Sequence, residues 1–159
     1  MRRFLVISLL LLLMLQLGCG CAAEKSDDRL LTRPFTATIE GTRGEMAFSA
    51  RISLSADGER SIRYTAPETL AGLTATATAD GVRVVQGDLS AAVPSAGGLF
   101  LPLDLLTSPA ALAARQERNG EVSLTYTDGT EVILSPDGTP RAVIRPDLTF
   151  TVSDLRPVS

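Results

Sequence analysis

The sequence predicts a mainly β domain with a helical part (α+β), an antiparallel sheet with one covered face and a short helical plug packed against it. Three observations lead there. Runs from Phe35 onward alternate apolar and polar residues with period two. Four Asp-Gly pairs, at Asp57, Asp80, Asp128 and Asp137, punctuate those runs as turns do in a meander. One stretch rich in proline and leucine, between Leu99 and Arg118, breaks the alternation with helix signals.

The elements follow in order. Phe35, Ala37 and Ile39 alternate with Thr36, Thr38 and Glu40. Met46, Phe48, Ala50, Ile52 and Leu54 alternate with Ala47, Ser49, Arg51 and Ser53. One apolar and one wet face is the signature of an antiparallel sheet covered on one side. Asp57-Gly58 suits a primed hairpin turn, which needs positive φ, and Ile62, Tyr64 and Ala66 carry the apolar face onward. Pro67 opens a helical turn that Gly72 ends. Leu73, Ala75, Ala77 and Ala79 form the next strand, and Val82, Val84 and Val85 follow the turn at Asp80-Gly81. Leu89 to Val93 is a weaker strand, and Pro94 to Gly98 a loop. Ser108 followed by Pro109 predicts a helix start, a capping side chain and then a residue with φ already set, so a helix is expected from Pro109 to about Arg118 with Asn119-Gly120 closing it. Leu105, Leu106, Leu112 and Ala113 are expected to share one apolar surface that plugs the concave face. Val122, Leu124 and Tyr126, then Val132 and Leu134, Ala142 and Ile144, and Leu148, Phe150 and Val152 complete the sheet.

The N-terminus has a different logic. Met1-Arg2-Arg3 is basic, and Phe4 to Leu17 is almost wholly apolar. That run is shorter than the roughly 18 apolar residues of a membrane span, and with its basic flank it fits a cleavable export signal over residues 1–18. Leu17-Gly18-Cys19 resembles the end of a bacterial lipobox, although Gln16 stands where leucine is usual. The resemblance implies a palmitate-type acyl anchor on Cys19. Cys21, preceded by Gly20, is the alternative acceptor, and an uncleaved anchor or plain secretion with two spare thiols are the competing readings. Residues 19–33, with Glu24, Lys25, Asp27, Asp28 and Arg29, read as a polar tether. Residues 34–159 form the body, at the cell membrane on its extracytoplasmic face.

Charge and composition exclude several functions. Of 15 Lys and Arg, Arg2 and Arg3 lie in the leader, while all 18 Asp and Glu lie beyond Cys19, leaving the remainder near −5. That opposes nucleic-acid binding, which needs a basic footprint. There is no histidine, so Ser-His-Asp, Cys-His and zinc-histidine sites are absent, and two cysteines one residue apart offer too few soft ligands for a metal. No phosphate-binding glycine loop appears, and no cofactor is expected. Asp57/Glu59 and Asp128/Glu131 flank turns, where Asp serves the backbone. Ser108 lacks a base and reads as a cap. Arg51, Arg63 and Arg83 sit at polar strand positions, either as a binding row or as an ordinary charged outer face that discourages edge pairing.

The strand pair from Phe35 to Ser55, the run Tyr64-Thr65-Ala66-Pro67-Glu68-Thr69-Leu70-Ala71-Gly72, and the proline-leucine plug from Leu101 to Arg118 followed by hairpins resemble the LolA/LolB-like lipoprotein-carrier superfamily, in the form found in small envelope lipoproteins of Gram-positive bacteria. The resemblance implies a curved antiparallel sheet, an incomplete barrel with helices on its concave side. It also implies a non-enzymatic protein that shelters an apolar ligand there or docks an envelope protein through its edge or outer face. Phe48, Tyr64, Leu105, Leu106 and Leu112 are the candidate lining residues. The chain departs from the carriers in having only five Phe, two Tyr and no Trp, and many inward alanines, which implies a small cavity or tight packing.

Overall fold

The computed structural model describes residues 31–95 and 97–158. The expected signal, both candidate acyl acceptors and the tether up to residue 30 lie outside the described residues. Among the described residues, no helix is long and apolar enough to cross a membrane, and no group of His, Cys, Asp and Glu could hold a metal ion.

The period-two runs become strands β1 Phe35–Arg43, β2 Met46–Leu54, β3 Arg60–Ala66, β4 Thr74–Thr78, β5 Gly81–Gln86 and β6 Leu89–Val93. A 3-10 turn, Gly97–Phe100, leads into the helix α1, Leu101–Thr107, and the chain returns to strands β7 Leu112–Arg118, β8 Glu121–Tyr126, β9 Glu131–Leu134, β10 Pro140–Arg145 and β11 Leu148–Pro157. All pair antiparallel in one sheet of order β6-β5-β4-β3-β2-β1-β11-β10-β9-β8-β7. The first and last strands thus meet in the middle, and the sheet is an open, curved half-barrel with β6 and β7 as its edges.

The alternation decides which face is covered. Phe35, Ala37 and Ile39 of β1, Phe48, Ala50 and Ile52 of β2, and Ile62 and Tyr64 of β3 are all buried. Leu124, Val132, Val143 and Phe150 continue that face on the other side of β1, and Phe100, Leu103, Leu105 and Leu106 of the plug pack against it in one cluster. Each fully buried large apolar side chain contributes about 1.5–3 kcal/mol. Gly41 marks the tightest point. It pairs with Phe150, and a Cβ there would lie 2.0 Å from the Thr149 carbonyl oxygen and 2.6 Å from Phe150 Cα, so only glycine lets β1 and β11 close.

Two expectations are corrected. Pro109 to Arg118 is not a helix. The helix is Leu101–Thr107 with Pro102 in its first turn, and Ser108 closes it, its N–H donating to the Asp104 carbonyl at 2.8 Å. Residues 112–118 have good helix propensity, but pairing with β8, Leu112 opposite Tyr126 and Arg118 opposite Glu121, overrides it. Asn119 (φ 55°) and Gly120 (φ 79°) are both left-handed and make the two-residue hairpin turn that joins β7 to β8. Conversely, the primed turn expected at Asp57-Gly58 is a wider loop in which only the glycine is left-handed, at φ 84°. The Asp57 carboxylate accepts the Glu59 N–H at 3.4 Å, and Asp128 and Asp137 accept the Thr130 and Thr139 amides at 3.1 Å in the same way. Three of the four Asp-Gly turns therefore share one device, an aspartate bonding its own backbone two residues on.

Candidate ligand cavity

At the end of the sheet where β1 turns into β2, the concave face is not completely filled. Met46 and Phe48 of β2, Tyr64 of β3 and Leu148 of β11 form one wall of a cavity of about 210 Å³. Leu99 and Pro102 from the start of the plug form the other, with Leu70 closing one side. The wall is apolar because these strand positions are in phase with the core. Phe48 pairs with Gly41, and Tyr64 with Ala50.

Two contacts hold the start of the plug over this space. The Tyr64 hydroxyl donates to the Leu99 carbonyl at 3.3 Å, and its ring meets Phe48 edge to face, with centroids 6.3 Å apart. Burial pushes the Tyr64 hydroxyl above its ordinary pKa against the opposing Arg43 charge, so it stays a donor. Arg43 Nη1 donates to the Gly98 carbonyl at 3.3 Å. A Cβ on Gly98 would lie 2.6 Å from Arg43 Nη2, so the glycine lets the guanidinium lie directly on the backbone.

The far end of the plug is solid. Leu103 and Leu106 are fully buried and Leu105 nearly so. Asp104 of α1 pairs with Arg60 of β3 at 2.5 Å, and the Arg60 guanidinium carbon stands 5.3 Å from the centre of the Phe100 ring. Burial raises the Asp104 pKa, a shift that the Arg60 charge and hydrogen bond oppose.

Of the five expected lining residues, the structure brings Phe48 and Tyr64 together at the cavity. Leu105 and Leu106 pack in the core beyond it, and Leu112 is on β7, partly buried opposite Tyr126. Arg51, Arg63 and Arg83 are exposed on the outer face, with Arg51 directly opposite Arg63. The other lining residues, Arg43, Met46, Leu70, Gly98, Leu99, Pro102 and Leu148, are the ones that sequence reasoning missed. A signal for Arg43 exists: it is in phase with Phe35, Ala37, Ile39 and Gly41, a charge on the apolar face of β1.

At about 210 Å³ the cavity is smaller than the roughly 300–1,000 Å³ of usual ligand pockets. A larger groove of about 680 Å³ runs by β4, β5 and β6, where Glu59, Asp80 and Arg83 share the walls with Val82, Val93 and Pro94.

No protein-family model and no curated protein matches the sequence. Solved structures do resemble the fold. An uncharacterized conserved protein from Thermus thermophilus superposes with a TM-score of 0.57 at 14% identity over 82% of each chain. A LolA superfamily protein from Nitrosomonas europaea superposes with a TM-score of 0.48 at 10% identity, over 83% of this chain and 89% of that one. The likeness to the Thermus protein is one of fold. The open sheet with a plug on its concave side is the architecture that the resemblance in the sequence implies.

Proposed function

We propose that this protein is a non-enzymatic lipoprotein of the cell envelope, tethered to the membrane by an acylated Cys19, whose half-barrel binds a lipid chain or another apolar ligand. The observation that carries the binding reading is the apolar cavity between Phe48, Tyr64 and Leu99, beneath a plug segment tied down by single hydrogen bonds. Its small size agrees with partial insertion of a chain, and deeper entry requires the 3-10 turn to lift. The anchor reading is supported by the leader and its small residues before Cys19. Two or more acyl chains hold a protein stably at a bilayer.

Native mass spectrometry of the full chain gently extracted from membranes tests the binding reading. A noncovalent adduct of lipid mass, lost in Phe48→Trp, is expected. Only bare protein, before and after adding lipid, would sink it. For the anchor, Cys19→Ser is expected to abolish acyl labelling, and a labelled Cys19→Ser product would move the acceptor to Cys21.

A second reading has its own observation. Strand β6, Leu-Ser-Ala-Ala-Val, is an uncharged sheet edge with Leu89 78% exposed, whereas the opposite edge β7 carries Arg115, Glu117 and Arg118. Open edges accept strands from partners, and charged ones resist them. On that reading an envelope protein docks along β6, and cross-linking from Leu89 in cells would capture one dominant partner.

A further inference from the structure

Arg43 ends β1 on the inner, apolar side of the sheet, opposite Met46 and Leu148. Those two residues and Arg43 itself border the cavity. A cation in that position calls for a reason. Among the described residues it takes part in no ion pair. The nearest chain neighbours that carry acid give it no carboxylate either. Asp147 is bound by Arg145 at 2.9 Å, and Glu45 is exposed in the β1–β2 turn. Its one hydrogen bond, to the Gly98 carbonyl, uses a single N–H of the five that a guanidinium offers. Arg43 is exposed, and an arginine at an apolar border keeps its charged head in water.

An apolar cavity with an unpaired guanidinium at its mouth matches one ligand class. Resting on the apolar-ligand reading above, we propose that the bound molecule is an amphiphile with a single anionic head, a carboxylate or a phosphate monoester, whose chain enters between Phe48, Tyr64 and Leu99 while Arg43 holds the head. A planar guanidinium can grip either head with two parallel charge-assisted bonds. A neutral head gains no charge-assisted bond, and a cationic head is repelled. Arg43 also touches the plug, so the head would meet the guanidinium where the plug's own carbonyl is held.

The test is calorimetric titration of the purified full chain with probes of one chain length: decanoate, decyl phosphate, decanol and decyltrimethylammonium, with inorganic phosphate as the chainless control. Decanoate and decyl phosphate are expected to bind at least about tenfold more tightly than the alcohol and the ammonium probe, as a charge-assisted hydrogen bond allows. Binding of only one of the two anions also supports the proposal and names the head. Arg43→Gln is expected to bring the anions down to the level of decanol, and Arg43→Lys to keep part of the preference. Should Arg43→Gln not fold, Arg43→Lys and the wild-type series decide alone. Equal binding of all four decyl probes overturns the anionic head and leaves the cavity reading intact. Inorganic phosphate binding as tightly as decyl phosphate overturns the amphiphile. If no decyl probe binds, the cavity reading fails and this proposal falls with it.

Discussion

The two ends of the plug are built differently. At the α1 end, Leu103 and Leu106 fill the concave face, and the Asp104–Arg60 pair adds a charged tie whose cation also stands over Phe100. At the end that begins with the 3-10 turn, Leu99 is only partly buried, a cavity lies beneath it, and the ties are two single hydrogen bonds to backbone carbonyls. Closely packed regions resist opening, while segments with few buried contacts open at low cost. A half-barrel can thus be closed by its helix at one end and left accessible at the other within a few residues. On the proposed binding reading, a ligand would enter at the accessible end.

The largest expected effect lies at the solid end. Leu106→Ala removes a fully buried side chain, which should lower stability by about 2–5 kcal/mol. Leu99→Ala, at the partly buried end, should cost only about 1 kcal/mol. Guanidinium unfolding of both variants checks the contrast, and equal losses would erase it. Next comes the charged tie. Arg60→Ala removes an ion pair whose side chains are 40% and 44% exposed, so solvent screening keeps the expected loss to about 1 kcal/mol, read from the same unfolding curves. Tyr64→Phe deletes the bond to the Leu99 carbonyl and should cost about 0.5–1 kcal/mol. Its sharper readout is faster amide exchange at residues 98–100 with little change at 103–106.

The smallest effect is in the pH profile. Asp104 has a raised pKa, chiefly through burial, so the folded state holds its proton more firmly than the unfolded chain. Its contribution is greatest at low pH and declines as pH rises from about 3.9 through the raised value. Asp57 and Asp137 act in the opposite sense. Side-chain bonds from Ser55 and Thr139, then backbone N–H groups, lower their pKa values. Their stabilisation is present above about pH 3.9 and lost as pH falls through the lowered values. Thermal unfolding across about pH 3 to 6 should show Asp104→Asn losing the decline above pH 4 while keeping the acid loss below it.

Much of this arrangement can be read from the residues. The alternation from Phe35 to Leu54 identifies β1, β2 and their buried face, because a half-covered sheet forces period two on its sequence. The plug was legible as a proline-leucine interruption, but its limits were not. Ala110 to Arg118 has helix-forming composition with no apolar alternation, since β7 is an edge strand whose residues are mostly exposed. Nothing on either face imposes the strand period there. Asn119-Gly120 was the informative pair, and it marks a hairpin as naturally as a helix end. The lining was legible only in part. Phe48 and Tyr64 announce themselves as aromatics on strands. Gly98 and Leu99 come to the site through the course of a loop that no periodicity encodes. Arg43 and Arg60, two charges in phase with apolar faces, hold the plug, and neither was assigned a role from the sequence.

Ligand entry at the open end of the plug underlies both the binding reading and the anionic head. Amide chemical-shift mapping of the full chain during titration with decanoate tests it directly. Saturable shifts confined to Arg43, Phe48, Tyr64 and residues 97–101 are expected, with Leu103 to Leu106 unmoved. Shifts centred on Leu103 to Leu106, on the outer face around Arg51 and Arg63, or on no residue at saturating decanoate would contradict entry at that end.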